Sequence, residues 1–187
     1  VIAARFADGE LAEDDLLFQG WAPNGSTYVL SGLYQSANND FSTSSDFGTY
    51  GNALIALAGA FALLKADSIY GVNFNLSLHP TQFEQLSASI STSGVPEWDQ
   101  TLKMLNRVKG APPGDILETS DLTAGTGMMS PVDPSGRLID LVIGVDARNI
   151  LGEDSKLPEI SPIYGTVIEA LVPRIKQTNS LCKLSAI

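Results

Sequence analysis

The stretch Thr49 to Lys65, TYGNALIALAGAFALLK, decides how the chain is organised. Leu54, Leu57, Phe61 and Leu64 recur at helical spacing and Ala or Gly holds most positions between them, so the pattern predicts a helix that is apolar on both sides. A helix of that kind is expected to be buried. Ala53, Ala56, Gly59 and Ala60 form a side of small residues that lets a backbone approach closely, while Leu and Phe fill the opposite layer. The apolar run from Ala53 to Leu64 is well short of the ~20 residues a membrane-spanning helix needs, so it reads as the spine of a soluble domain.

The rest of the composition fits that reading. A chain of 187 residues makes one domain, or one domain with a subdomain, and buries roughly 70% of its unfolded surface. A hydrophobic content of 44% with 17 Gly and 10 Pro describes a globular protein rich in turns. The 11 basic and 21 acidic residues leave a net charge of −10, which disfavours non-specific nucleic-acid or anionic-membrane binding. Cys182 is the only cysteine, so no intrachain disulfide forms, and no charged and apolar signal segment opens the chain; an intracellular, reducing compartment is expected. The sequence begins at Val1 without Met, which reads as a fragment, a processed form or a record without its leader.

Upstream of the spine, the stretch from Val1 to Leu17 is predicted helical, with a weak point at Asp8-Gly9. Its acidic group, Glu10, Glu13, Asp14 and Asp15, reads as a solvated face, because no His or second carboxylate cluster follows at metal-ligand spacing. The polar segment from Trp21 to Phe47 reads mostly as loop, with Tyr28-Val29-Leu30 its only strand-like run. A loop so long is expected to be functional or to pack against something else, such as a neighbouring subunit.

Downstream, Val72, Phe74, Leu76 and Leu78 alternate with Asn73, Asn75 and Ser77, predicting a strand with one buried and one polar face. His79-Pro80-Thr81 then opens a short helix presenting Phe83, Leu86 and Ile90 to the core. Ser87 to Gly94, SASISTSG, reads as an exposed loop tip, and Trp98 to Val108 as a helix with Leu102, Leu105 and Val108 inward. The last third is strand-rich: Ile116 to Thr119, Leu138 to Val145, Ile163 to Val172 and Leu181 to Leu184, with a turn at Asp133-Pro134-Ser135-Gly136. Pro173 is expected to restrict pairing beyond it. Helices and strands mix without regular βαβ repetition, so the expected class is α+β.

No active site composes from these residues. His79, the only histidine, reads as a cap or core residue, since no Ser or Cys nucleophile sits in a recognisable elbow. Cys182 reads as a small buried hydrophobe. There is no GxGxxG, no phosphate loop and no paired Cys or His set for zinc, and Gly125-Thr126-Gly127-Met128-Met129 is too short to argue a phosphate cradle. Arg174 can pair with a carboxylate in the chain or across an interface. No cofactor or metal is expected.

Several segments do carry a resemblance. Glu13-Asp-Asp-Leu-Leu-Phe-Gln-Gly20 with the later Gly32-Leu33, the strand-to-helix passage Leu78-His79-Pro80-Thr81-Gln82-Phe83, the strand Ile139-Asp-Leu-Val-Ile-Gly-Val-Asp146, and Thr166-Val-Ile-Glu-Ala-Leu-Val-Pro-Arg-Ile175 with Leu181-Cys182-Lys183-Leu184 follow one another in the order of encapsulin shell proteins, and their sequences resemble that family's. Encapsulins are nanocompartment relatives of tailed-phage major capsid proteins. Val145 stands where the family usually has Gln, and the family's N-terminal helix and extended loop, which help to form its cargo groove and its subunit contacts, have no counterpart before Val1.

The resemblance implies a tailed-phage capsid-like fold with a spine helix, a peripheral domain of about residues 1–66 and 160–187, and an axial domain of about 67–159. It implies a shell subunit and not an enzyme: many copies close into a cytoplasmic icosahedral particle of a prokaryote, around a cargo such as a ferritin-like or peroxidase-type enzyme serving iron storage or oxidative stress. By family position Ser91, Thr92, Ser93 and Gly94 line a pore, and Thr166, Ile168 and Leu171 lie on a strand facing the cargo. The partners implied are further copies of the chain and that cargo, with no specific nucleic acid and no membrane. Two other readings stand beside it: a major capsid protein of a virus or provirus that packages nucleic acid, and, last, a small hydrolase using His79 with Glu84 or Asp99.

Overall fold

A computed structural model describes residues 20–21, 30–44, 46–152 and 164–187. The predicted helix before Leu17 and its acidic group lie outside these residues, as does most of the strand-like run before Leu30. In chain order the elements are β1 (Gly20–Trp21), β2 (Leu30–Ser31), α1 (Leu33–Ser36), β3 (Asn39–Ser42), α2 (Asn52–Ala66), β4 (Asn73–Leu78), α3 (Pro80–Ala88), α4 (Glu97–Leu105), β5 (Ile116–Glu118), β6 (Thr126–Val132), β7 (Ile139–Gly152), β8 (Tyr164–Ile175) and β9 (Cys182–Ser185). A 3-10 turn, Thr178–Ser180, precedes β9.

The expected spine is α2, and it lies against a five-stranded sheet in the order β3-β9-β6-β4-β5. The sheet is mixed: β3 runs parallel to β9 and β4 to β5, while β6 is antiparallel to both β4 and β9. Ala53, Ala56, Leu57, Ala60, Phe61 and Leu64 of α2 are buried with Phe74, Leu76, Leu78, Met129, Cys182 and Leu184 from the strands. The Phe61 and Phe74 rings meet edge to face at 5.5 Å, a favoured aromatic arrangement. Fully burying one such Leu or Phe side chain stabilises by about 1.5–3 kcal/mol, so this interface is a large contribution to the core.

The helix is not buried on both sides. Ile55 is 60% exposed and Ala58 and Ala62 are exposed, because one sheet covers one face and α2 carries apolar residues all round. The small-residue side is used, by a side chain and not by a backbone: the Phe41 ring of β3 lies over Gly59.

The polar face of β4 is also covered, against the expectation. Asn73 and Ser77 are buried. Asn73 Oδ1 accepts from the Val108 amide at 2.9 Å, and its Nδ2 donates to the carbonyls of Val108 and Pro112 at 3.2 and 3.0 Å. A buried side-chain amide is tolerated when it is satisfied this way, and here it fixes the loop that follows α4.

Two strands escape sequence reading. β3 lies in the segment expected to be loop, its polar residues legible as an edge strand only once β9 pairs with it. In sequence β6 is no more than a Gly-Met stretch, since Gly127, Ser130 and Pro131 dilute its apolar pattern, yet it is the central strand. Pro131 is accommodated because pairing of β6 with β9 ends at Met129, leaving that edge without a donor requirement.

Apart from the sheet, β7 and β8 pair antiparallel into a two-stranded ribbon from Ile139↔Ile175 to Gly152↔Tyr164, with register shifts between Ile143 and Arg148. Both strands outrun the predicted ones. Pairing continues past Pro173, which stands opposite Leu141; in a two-stranded ribbon a proline can face the unpaired edge. The Lys176 amide donates to the Leu138 carbonyl at 2.9 Å and closes the base of the ribbon.

Candidate functional site

Two features stand out from the packed body: the hairpin of residues 89–97 and the β7–β8 ribbon. The hairpin joins α3 to α4. Its four candidate residues come together in one tight turn: Gly94 N donates to Ser91 O at 2.9 Å, and the Ser91 and Ser93 hydroxyls lie 3.0 Å apart. Gly94 has φ +79°, a conformation that favours glycine. The Ser91 amide donates to Val95 O and the Val95 amide to Ser91 Oγ, both at 2.9 Å, so the turn is closed by its own groups. Its flanks are apolar and exposed, Ile90 at 57% and Val95 at 41%; the expected inward position of Ile90 is wrong because the chain leaves α3 at Ala88 and turns outward.

The ribbon carries the three residues of the other candidate set. Thr166 pairs with Ile150, Ile168 with Arg148 and Leu171 with Ile143. Fourteen residues of β7 at ~3.3 Å each give a ribbon of roughly 45 Å. Among the described residues it pairs with no other strand, so both its edges present unpaired backbone groups.

His79 is the N-cap of α3: its Nδ1 accepts from the Thr81 amide at 3.2 Å, with Pro80 in the first turn. Glu84 and Asp99, its partners in the hydrolase reading, are exposed. Cys182 is fully buried, and burial, with the Asp40 charge nearby, pushes its thiol up to about 12. Burial, reinforced by Asp40, likewise raises Tyr34. Glu97, which carries no motif in the sequence, is fully buried; Ser89 Oγ donates to Oε2 at 2.7 Å and the Leu54 amide to Oε1 at 3.3 Å. Nothing in the sequence placed Leu54 beside it. No helix among the described residues is long and apolar enough to cross a membrane.

A spine helix on a mixed sheet, with a protruding hairpin and a long ribbon, is an α+β capsid-like architecture, and known structures agree. The chain is similar to the capsid of Myoviridae phage XM1 over 93% of its length, with TM-score 0.64 and 9% identity, covering 60% of that protein. It matches the virus-like particle from Pyrococcus furiosus over 79% of its length, with TM-score 0.52 and 22% identity, covering 56% of that protein. It matches the capsid of the empty GTA particle over 98% of its length, with TM-score 0.54 and 12% identity, covering 68% of that protein. The chain thus has the capsid-like fold and spans less than two thirds of the phage XM1 and Pyrococcus proteins. No protein-family model matches the sequence, and no curated protein matches it.

Proposed function

We propose that the chain is a structural shell subunit, many copies of which close into an icosahedral particle. The observation that carries this reading is the capsid-like fold, shared over 93% of the chain with a phage capsid and over 79% with a virus-like particle. The ribbon supports it. An isolated two-stranded ribbon is marginal in water, and its open edges fit pairing or packing against neighbouring copies. The apolar residues left exposed on the single chain, Ile55, Tyr70 and Ile90, fit the same purpose.

Within such a particle the axial part is residues 67–159 and the peripheral part the remainder. Ser91, Thr92, Ser93 and Gly94 line an opening at a symmetry axis, where small hydroxyl side chains make a polar rim and the net charge of −10 favours cations over anions. In the encapsulin form of this reading, the particle lies in a prokaryotic cytoplasm and Thr166, Ile168 and Leu171 face a protein cargo, a ferritin-like or peroxidase-type enzyme of iron storage or oxidative stress.

The second reading is a capsid protein that packages nucleic acid, favoured by the phage and GTA capsids among the similar structures. Light scattering and negative-stain microscopy of the untagged protein test the shared reading: a uniform hollow particle in the megadalton range supports it, and a monomer or small oligomer overturns it. Protein found inside the particle favours the compartment, and nuclease-protected nucleic acid favours the capsid.

A further inference from the structure

The N-terminus of α2 lacks a capping side chain, because its N-cap is Gly51. The first amides of a helix have no partner within it, and Leu54 carries one of them. Its donor is satisfied by the Glu97 carboxylate, 43 residues further along the chain. The other oxygen of the same carboxylate accepts from Ser89 Oγ, and the Glu97 amide donates to Ser89 O at 2.9 Å. One fully buried group therefore joins the first turn of α2, the root of the 89–97 hairpin and the first turn of α4. The partial positive ends of two helices converge on it, which suits an acceptor-only group. Beyond the root, the amides of Ser91, Gly94 and Val95 are bonded inside the hairpin, so its tip moves with its base.

We propose that Glu97 is a positioning residue: it is a borrowed cap for α2 and the latch that makes the 89–97 hairpin and the first turn of α2 move as one body. Whatever the hairpin tip meets, its orientation follows the spine helix. The inference goes beyond the shell reading and does not depend on it, since particle mass reports assembly whereas amide exchange reports this coupling.

Hydrogen exchange followed by mass spectrometry on the full chain tests it. Glu97→Gln keeps the shape but offers one acceptor oxygen for two donors. Exchange is expected to quicken about tenfold in two segments distant in sequence, residues 52–55 and 90–96, with β4 and β6 unchanged. Ser89→Ala, which removes only a hydroxyl and keeps the test open if the first variant does not fold, is expected to act on both segments in the same direction. The double variant is expected to add little to the larger single effect, because the two groups act as a unit. Wild-type exchange in either segment of the Ser89→Ala protein, or fully additive effects in the double variant, would overturn the proposal.

Discussion

At Gly59 a single hydrogen atom decides how close β3 comes to the spine helix. A methyl group there would sit 2.1 Å from the Phe41 ring, and at Gly114 one would sit 1.9 Å from the Phe74 carbonyl oxygen. The two clashes differ in kind: a partly buried ring on an edge strand can tilt, whereas a backbone carbonyl in the middle of a sheet cannot. Alanine also gains about 1 kcal/mol of helix propensity at Gly59 and none at Gly114. Urea melts are therefore expected to show Gly59→Ala destabilised by about 1 kcal/mol and Gly114→Ala by about 3 kcal/mol or more; the reverse order would contradict this packing. Cys182 gives a second residue-scale expectation. With its thiol raised from 9.0 to about 12, it holds roughly a thousandfold less thiolate at neutral pH than a free cysteine, and it is buried as well. Alkylation is expected to be at least a hundredfold slower in the native protein than in urea, and equal rates would show the thiol to be accessible. The sign for stability follows: the neutral thiol is the favoured folded form, so its contribution is intact below about pH 9 and lost as pH rises toward 12.

Among the elements, the loop after α4 depends on one strand residue. Asn73 bonds three carbonyls and one amide of residues 108–112, and Asn106 holds both the amide and the carbonyl of Gly114. Truncating Asn73 orphans the Val108 amide, so Asn73→Ala is expected to cost about 2–3 kcal/mol, with the first loss of exchange protection in residues 106–114. An unchanged loop would mean that water replaces the side chain at no cost. The turn at Asp133 makes a pH-dependent counterpart. The Ser135 hydroxyl, opposed slightly by desolvation and helped by the amides of Leu138, Arg137 and Ser135, holds the Asp133 carboxyl below the usual carboxylate range. A depressed value stabilises the fold above the unfolded value and is lost as pH falls through the folded one. The stability gap between the wild type and Asp133→Ala is accordingly expected at neutral pH and to shrink as the solution is acidified below about pH 4, a small effect because the site is solvated.

For the whole molecule, the apolar surface left on α2 separates folding from assembly. Ile55 is 60% exposed, so Ile55→Asp is expected to change the chain's own stability by no more than about 0.5 kcal/mol. If neighbouring copies cover that face in the shell, the same substitution reduces particle yield severalfold in a sedimentation assay. A stable chain that assembles as the wild type does would place the spine's outer face away from every subunit contact. The ribbon carries a parallel expectation: amides along β7 and β8 gain protection when particles form, since a lone pair of strands is marginal.

Long apolar patterns and strong punctuation were legible without coordinates. The 3.6-residue period around Leu57 and Phe61 announces α2, the alternation ending at Leu78 announces β4, Pro80 after His79 announces the start of α3, and Asp133-Pro134-Ser135-Gly136 announces its turn; each rests on local geometry that neighbouring residues set by themselves. These elements gave only the α+β class; the capsid-like fold was suggested by the resemblance of segments such as Leu78–Phe83, Ile139–Asp146 and Thr166–Ile175 to encapsulin sequences in the same order. What only the tertiary structure decided are the features whose partners lie far along the chain. β3 and β6 look like loop until β9 and β4 pair with them, Asn73 looks solvent-facing until the loop after α4 folds over it, and Glu97 looks like a surface acid until the uncapped end of α2 arrives beside it. Periodicity records which way a side chain points; it does not record what covers that side, and burial, pairing and capping are all decided by what covers it.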